Sequence, residues 1–268
     1  MRPVLFQLGT TVIWSHEIFV ALGVAIALAA SWRIARERGR ADQDLLVIIA
    51  GGLLGAAILA RLGLAIRYLQ QADDPSLLGF LRHSGRTVLG GLAGGYGGVV
   101  ATKRLIGYTR STGDLFAPGV ALGMAIGRIG CFLAERPGTV TALPWAVRVP
   151  ADAAPRIAQC PACLAGESMH PSFLYESAFL AVVSWLLFHY VHRRTYPASW
   201  MVEGDLFKLF LLVYAAFRFF VEFVRGSPVM GFGMSGSQLM VLPTSILLAL
   251  YFVRRRQRSF APLAPLPS

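Results

Sequence analysis

The apolar run LFAPGVALGMAIGRIGCFLAE, residues 115–135, carries one arginine, Arg128, in a segment otherwise uncharged until Glu135. A second apolar run ends in YAAFRFFVEFVRG, residues 214–226, and places Arg218 at a similar depth. Runs of about 20 apolar residues have the length that a helix needs to cross a bilayer. An ionisable side chain at that depth indicates a functional site with an anionic partner, and the donors of arginine fit phosphate well.

The composition indicates a membrane protein. Hydrophobic residues make up 55% of the 268-residue chain, charged residues make up 15%, and the mean hydropathy is +0.58. Uncharged stretches such as 45–59 are not typical of a soluble domain. The net charge of +11 could indicate nucleic acid, but the basic residues lie mostly at the ends of apolar runs. That placement suits an anionic membrane surface, so we expect no nucleic-acid partner.

The hydropathy pattern predicts an all-α, polytopic membrane protein with about seven transmembrane helices. We place these spans at approximately 15–32, 44–66, 87–105, 114–134, 171–191, 204–223 and 236–253. Basic clusters follow the first, third, fifth and seventh spans. Because basic loops favour the cytoplasmic side, we expect the N-terminus outside and the C-terminus in the cytoplasm. The glycines of the third span allow close approach of a neighbouring helix.

Residues 1–268 are interpreted as a single membrane domain, because no linker or repeat of fixed period is evident. The first span is expected to remain uncleaved, since the arginines behind it form a stop-transfer pattern. Outer loops are expected at about 67–86, which contains an Asp-Asp-Pro turn signal, and at about 135–170. Residues 254–268 are expected to form a basic cytoplasmic tail.

In this topology Arg128 and Arg218 both approach the outer leaflet. Helical spacing predicts Glu135 on the face of Arg128, and Glu222 and Arg225 on the face of Arg218. Two interpretations are open. Arg218 and Glu222 could form an ordinary ion pair within one helix while Arg225 extends to the headgroups. Alternatively, the two arginines bind an anionic ligand at the level of the lipid headgroups.

Three blocks of the sequence resemble the prolipoprotein diacylglyceryl transferase family: GRIGCFLAERPG at 127–138, HPSFLYE at 170–176 and FRFFVEFVRGSP at 217–228. Two softer pieces, IWSHEIFVALG at 13–23 and GGLLGAAILARL at 51–62, fit as well. The blocks follow the order of the family, and the resemblance covers most of the chain.

The resemblance implies transfer of a diacylglyceryl group from phosphatidylglycerol to the lipobox cysteine thiol in a preprolipoprotein signal peptide, with glycerol 1-phosphate leaving. It implies a multi-pass protein of the bacterial inner (plasma) membrane, in contact with membrane lipids, that needs no cofactor and no metal. The chemistry accounts for the residue types. Arginines can stabilise a phosphate leaving group, and the thiol needs a base or an electropositive pocket.

The resemblance, together with the departures described below, gives the candidate site residues. The candidate catalytic residues are Arg128, Arg218, Glu135 and His16. The candidate substrate-binding residues are Arg128, Arg218, Glu222, Arg225, His170, Tyr175, Gly90 and Gly91. Within this set, the resemblance implies that Arg128 and Arg218 contact the phosphate. It also implies that Glu135 and Glu222 orient these arginines.

The chain departs from the family pattern at the expected base. The family commonly has a histidine before the Gly-Gly pair of the third span, and Leu89 stands there. The Tyr-Gly pair of the first span is replaced by His16-Glu17, and an asparagine of the fourth span by Cys131. His16 is therefore a candidate base, or else an interfacial residue. Cys131 is interpreted as a small buried hydrophobe, with a nucleophile as the alternative.

Cys160 and Cys163 form a Cys-x-x-Cys motif in the long outer loop. The first interpretation is a structural disulfide, the second is a redox-active dithiol, and the third is a metal site with His170. Two functions therefore stay open beside the transferase. One is a membrane thiol–disulfide oxidoreductase that acts through these cysteines. The other is a non-catalytic lipid- or lipoprotein-binding protein with the same fold.

Overall fold

The computed structural model describes residues 1–8, 11–62, 76, 87–157 and 160–260, most of which are helical. The predicted outer loop at 67–86, with its Asp-Asp-Pro turn, lies outside the described residues except for Ser76. The same holds for residues 261–268 of the predicted tail.

The described residues form eight α-helices and two short antiparallel hairpins. In chain order the elements are β1 (Val4–Leu8), β2 (Thr11–Trp14), α1 (Ser15–Glu37), α2 (Gln43–Leu62), α3 (Val88–Leu105), α4 (Gly113–Ala134), a 3-10 turn (Ala154–Arg156), α5 (Pro161–Leu164), α6 (Ser172–Arg193), α7 (Asp205–Arg225), β3 (Val229–Gly231), β4 (Met234–Ser235) and α8 (Gly236–Phe260). A long helix lies at each of the seven predicted segments.

Five of the described helices, α1, α2, α4, α6 and α8, are long and apolar enough to cross a membrane. This confirms a polytopic, mainly α-helical membrane protein. The other two long helices are α3 and α7. The sequence explains their lower hydropathy, because α3 is rich in glycine and ends in Lys103 and Arg104, whereas α7 contains five charged residues.

The chain divides into two compact units, Met1–Ile34 with Ser111–Ser268, and Ala35–Arg110. In the second unit, α2 and α3 pack closely through glycines. A Cβ placed on Gly94 would lie 2.2 Å from the carbonyl oxygen of Gly55. The glycine-rich sequence of α3 therefore allows the two backbones to touch, as small residues do between membrane helices.

In the first unit, α4 packs against α6 and α7, and α7 packs against α8. Helix α1 also meets α4 at glycines, since a Cβ on Gly23 would lie 2.4 Å from the carbonyl oxygen of Gly123. Near the end of α4, a Cβ on Gly130 would lie 3.2 Å from the Cα of His16. This close approach brings the first turn of α1 to the last turns of α4.

The loop between α4 and α6 has a small apolar core of its own. Its buried members are Val149, Ala153, Ala154, Ile157, Cys160, Cys163 and Met169. Cys160 and Cys163 form a disulfide within this core, where they are 4% and 2% exposed. A dithiol that exchanges with a partner must be accessible, so this burial favours a structural role over a redox role.

We expect Gly94→Ala to destabilise the protein, because its new methyl group would meet the carbonyl oxygen of Gly55. Overpacking of this kind costs about 1–3 kcal/mol. Gly97→Ala is the matched control on the same helix, since no atom lies within 4 Å of its added Cβ. Thermal unfolding in detergent micelles measures both variants. A Gly94→Ala protein as stable as Gly97→Ala would contradict the close packing of α2 and α3.

Candidate active site

A buried carboxylate, Glu176, joins side chains from α4, α6 and α7. Glu176 lies on α6 and is 0% exposed. Its Oε1 lies 2.6 Å from Nη2 of Arg128 and accepts a 2.7 Å hydrogen bond from the hydroxyl of Tyr214. The same hydroxyl accepts a 3.1 Å hydrogen bond from Nη2 of Arg128. Because a buried charge is costly without a partner, these three side chains depend on one another.

Arg225, the last residue of α7, adds a second guanidinium to this cluster. Its Nη1 lies 3.6 Å from Oε2 of Glu176, and its Nη2 lies 3.8 Å from Oε2 of Glu135. The guanidinium carbon is 4.3 Å from the ring centroid of Phe173, and that of Arg128 is 6.0 Å from the same centroid. Two arginines therefore share one carboxylate and one aromatic ring, which is a cation–π arrangement.

Arg218 forms an ion pair with Glu222 within α7, and both are buried. Glu222 also accepts a 3.0 Å hydrogen bond from the hydroxyl of Ser235, and Arg218 donates to the hydroxyl of Ser237 over 3.4 Å. Glu176 interacts electrostatically with Arg218 as well as with the other two arginines. The intrahelical pair of the first interpretation is thus formed, and binding of an anionic ligand by the two arginines stays a prediction.

The predicted role of Glu135 in orienting Arg128 stays a prediction. Helix α4 ends at Ala134, and Glu135 is its C-cap, whose amide donates a 2.8 Å hydrogen bond to the carbonyl oxygen of Cys131. Its carboxylate lies 3.6 Å from Nδ1 of His16 and 3.8 Å from Arg225. Among the described residues, the carboxylate in the ion pair with Arg128 is that of Glu176 on another helix.

His16 and Cys131, both departures from the family pattern, lie in contact. Sγ of Cys131 is 3.6 Å from Nδ1 of His16 and 3.9 Å from Nη1 of Arg128. Cys131 is a free, buried cysteine, whereas the side chains of His16 and Glu135 are 35% and 44% exposed. The histidine predicted as a base therefore lies at an accessible edge of the arginine cluster.

His170 lies just before α6, and Tyr175 lies in its first turn. Nδ1 of His170 is 3.3 Å from the hydroxyl of Tyr175, which also accepts a 2.8 Å hydrogen bond from Nε1 of Trp145. These contacts hold the long loop against α6. Within the described residues, neither side chain is in an ion pair or hydrogen bond with the three arginines. Their role in substrate binding stays a prediction.

Gly90 and Gly91 lie on α3, in the second compact unit, beside Leu89. A Cβ on Gly90 would lie 2.5 Å from the carbonyl oxygen of Leu59, so this glycine packs against α2. The hydroxyl of Thr87 accepts a 3.1 Å hydrogen bond from the Gly90 amide and caps the helix. The substrate-binding role of both glycines stays a prediction.

Sequence reasoning missed Glu176, Tyr214 and Phe173. A signal for the first was present, because buried positions recur every three or four residues along α6. These positions are Ser172, Phe173, Glu176, Leu180, Ser184, Leu187 and Val191. A carboxylate on such an apolar face meets the same criterion that singled out the arginines. Tyr214 and Phe173 resemble ordinary core aromatics, and only the fold identifies their partners.

Comparison with known proteins supplies the family. The model of the family described as prolipoprotein diacylglyceryl transferase matches residues 3–254. A phosphatidylglycerol–prolipoprotein diacylglyceryl transferase of Chromohalobacter salexigens is 33% identical, over 95% of this chain and 93% of its own. Proteins of the same name from Clostridium tetani and Gloeobacter violaceus are each 30% identical, over 92% and 97% of this chain and 95% and 96% of their own. The chain therefore belongs to the prolipoprotein diacylglyceryl transferase family.

Proposed function

We propose that this protein transfers a diacylglyceryl group from phosphatidylglycerol to the lipobox cysteine thiol in a preprolipoprotein signal peptide. Family membership supports the reaction, and the observation that carries it is the cluster of Arg128, Arg218 and Arg225 around Glu176. The buried carboxylates Glu176 and Glu222 offset two of the three guanidinium charges.

Arg225 is suited to make the first contact with the phosphate. Its ion-pair distances of 3.6 and 3.8 Å exceed hydrogen-bond length, so its fork of donors remains available to a ligand. Its side chain is 18% exposed, against 6% for both Arg128 and Arg218. Arg128 and Arg218 lie behind it and add positive charge where the leaving group forms.

The transfer is a displacement at the glycerol carbon that bears the phosphate. The thiolate sulfur forms a bond to this carbon, the bond from carbon to phosphate oxygen breaks, and glycerol 1-phosphate leaves with the electron pair. Arg128 stabilises that charge from a fixed position, because Glu176 and Tyr214 orient its guanidinium before substrate binds. Glu176 is thus a positioning residue. His16 and Glu135, at the accessible edge, are the candidates for forming the thiolate.

The same proposal includes the arrangement in the membrane. The whole chain, 1–268, forms one domain of the bacterial inner membrane with seven spans, the N-terminus outside and the C-terminus in the cytoplasm. Long helices at α3 and α7 support the count, since each is flanked by spans of sufficient hydropathy. The basic clusters after α1, α3, α6 and α8 support the orientation. The arginine cluster then faces the outer leaflet, where the signal peptide emerges.

Arg225→Ala is expected to lower the transfer rate by about 100-fold, the usual loss when one preorganised donor is removed. The unfolding temperature should change little, because its ion pairs are long. The assay combines purified protein, phosphatidylglycerol vesicles and a lipobox peptide, and measures thioether product and released glycerol phosphate. Arg193→Ala, an exposed arginine at the end of α6, is the matched control. Equal rates for the two variants would contradict the phosphate role.

Glu176→Gln should destabilise the protein by about 3 kcal/mol, since removing one partner of a buried ion pair leaves the other charge uncompensated. Tyr214→Phe removes one hydrogen bond from the same carboxylate and should cost about 1 kcal/mol. Denaturant or thermal unfolding in micelles measures both, with Glu167→Gln in the exposed loop as the control. A Glu176→Gln protein as stable as this control would show that the pair with Arg128 is not formed.

The double variant Cys160→Ser, Cys163→Ser should retain thioether formation, because the disulfide lies in the core of the loop, apart from the arginines. The same vesicle and peptide assay measures it, together with the unfolding temperature. Loss of transfer in a variant that unfolds normally would favour the oxidoreductase. If the wild-type protein forms no more thioether than Arg128→Ala, the non-catalytic binding protein is favoured instead.

A further inference from the structure

Three potential metal ligands of different chemistry meet at the accessible edge of the arginine cluster. They are Nδ1 of His16 in the first turn of α1, Sγ of Cys131 in the last turn of α4, and the carboxylate of Glu135 just after it. All three ligand atoms lie within 4.8 Å of one another. The imidazole nitrogen is 3.6 Å from the sulfur and 3.6 Å from Oε1 of the carboxylate.

Two of the three separations, from sulfur to nitrogen and from nitrogen to oxygen, fit one zinc ion. Zinc bonds to thiolate sulfur at about 2.3 Å and to nitrogen or carboxylate oxygen at about 2.0 Å. At tetrahedral angles, such bonds separate sulfur from nitrogen by about 3.5 Å and nitrogen from oxygen by about 3.3 Å. The observed 3.6 Å separations are close to both values. Imidazole, thiolate and carboxylate are also the three side-chain ligands that zinc accepts.

The geometry is less suited to a proton relay. In a nucleophile–histidine–acid triad, the nucleophile and the acid use opposite nitrogens of the imidazole ring. Here Sγ of Cys131 and Oε1 of Glu135 both face Nδ1 of His16. A proton on that nitrogen can serve only one of them, whereas a metal ion between the three atoms can bond to all of them.

Two guanidiniums lie next to the three ligand atoms. Nη1 of Arg128 lies 3.9 Å from Sγ of Cys131, and Nη2 of Arg225 lies 3.8 Å from Oε2 of Glu135. Metal binding requires the thiol and the carboxylic acid in their deprotonated forms and releases their protons. Together the thiolate and the carboxylate balance the charge of Zn²⁺.

The cluster supplies three protein ligands and is open on one side. Cys131 is buried, but His16 and Glu135 are 35% and 44% exposed. Catalytic zinc sites have this form, with three protein ligands and a fourth position for water or substrate. Resting on the proposed function, we propose that His16, Cys131 and Glu135 bind one zinc ion and that the lipobox thiol of the substrate is its fourth ligand.

This site would supply the thiolate in a chain where Leu89 replaces the family histidine. The substrate thiol releases its proton to water as the sulfur binds zinc, because a coordinating thiol is deprotonated. An electron pair of that sulfur then forms the bond to the glycerol carbon, and the bond to the phosphate oxygen breaks. The thioether product is a weaker ligand than a thiolate and leaves the metal.

Metal binding is tested directly with Co²⁺ as the probe. Full-length protein in micelles is stripped with EDTA, without reductant so that the Cys160–Cys163 disulfide stays intact, and is then titrated anaerobically. We expect a thiolate-to-cobalt charge-transfer band at one ion per chain, which Zn²⁺ displaces. The band should be absent in Cys131→Ser and weaker in His16→Ala and Glu135→Gln.

Glu17→Gln is the matched control for metal binding, since this exposed carboxylate is the neighbour of His16 in the chain. It should bind Co²⁺ as the wild-type protein does, and thermal unfolding checks that every variant is folded. No band in the wild-type protein, or a band that persists in Cys131→Ser, would overturn the metal site.

The fourth ligand is tested by adding lipobox peptide to the Co²⁺ form. Binding of a second thiolate should intensify the charge-transfer band, and a peptide with serine in place of the cysteine should leave the band unchanged. If both peptides give the same spectrum, the substrate thiol is not a ligand and that assignment is wrong.

The transfer assay separates this inference from the proposed function. EDTA-stripped protein should lose at least about tenfold in rate, as expected for loss of a catalytic group, and Zn²⁺ should restore it. Full activity of stripped protein would overturn the catalytic zinc while the transferase stands. If neither form makes thioether although Co²⁺ binds, the proposed function fails, and the assignment of the substrate thiol fails with it.

Discussion

The ion pair between Arg128 and Glu176 is the interaction on which the rest of the first unit depends. Both charges are buried on different helices, and Tyr214 from a third helix bonds to both. Neither charge can be removed alone without leaving the other in an apolar surrounding. The packing of α4, α6 and α7 and the shape of the anion site are therefore set by the same contacts. A substitution of Arg128 or Glu176 is therefore expected to change both the stability of the protein and the proposed activity.

Close helix packing determines what lies next to this pair. Glycines at the contact between α1 and α4 let the two backbones touch, and the start of α1 then reaches the end of α4. This places His16 beside Cys131 and Glu135, with the arginine cluster on the buried side. Larger side chains at Gly23 or Gly130 would move the histidine away from both partners. The small residues of α1 and α4 therefore allow the two helices to pack closely and also place His16 beside Cys131 and Glu135.

Much of the fold and half of the site could be predicted from the sequence. Apolar runs locate the long helices because each helix must span the same thickness of hydrocarbon, and charges inside those runs identify Arg128 and Arg218. The partners are harder to predict, since they come from other helices. Helical spacing predicts Glu135 on the face of Arg128, whereas the ion pair of Arg128 is with Glu176 on another helix. The contact of His16 with Cys131 joins residues 115 positions apart, and local pattern contains nothing that predicts it.

The two parts of the site are constrained differently, and this accounts for where the chain departs from its family. Arg128, Arg218, Glu176 and Glu222 are buried charges that neutralise one another, so a change at one of them is costly unless its partner changes as well. His16 and Glu135 are partly exposed, and an exchange there leaves no buried charge without a partner. Phosphate binding is therefore the conservative part of the proposed reaction. Thiol activation is the part for which another set of residues can take over, and we propose that role for His16, Cys131 and Glu135 in a chain that has Leu89 in place of the histidine.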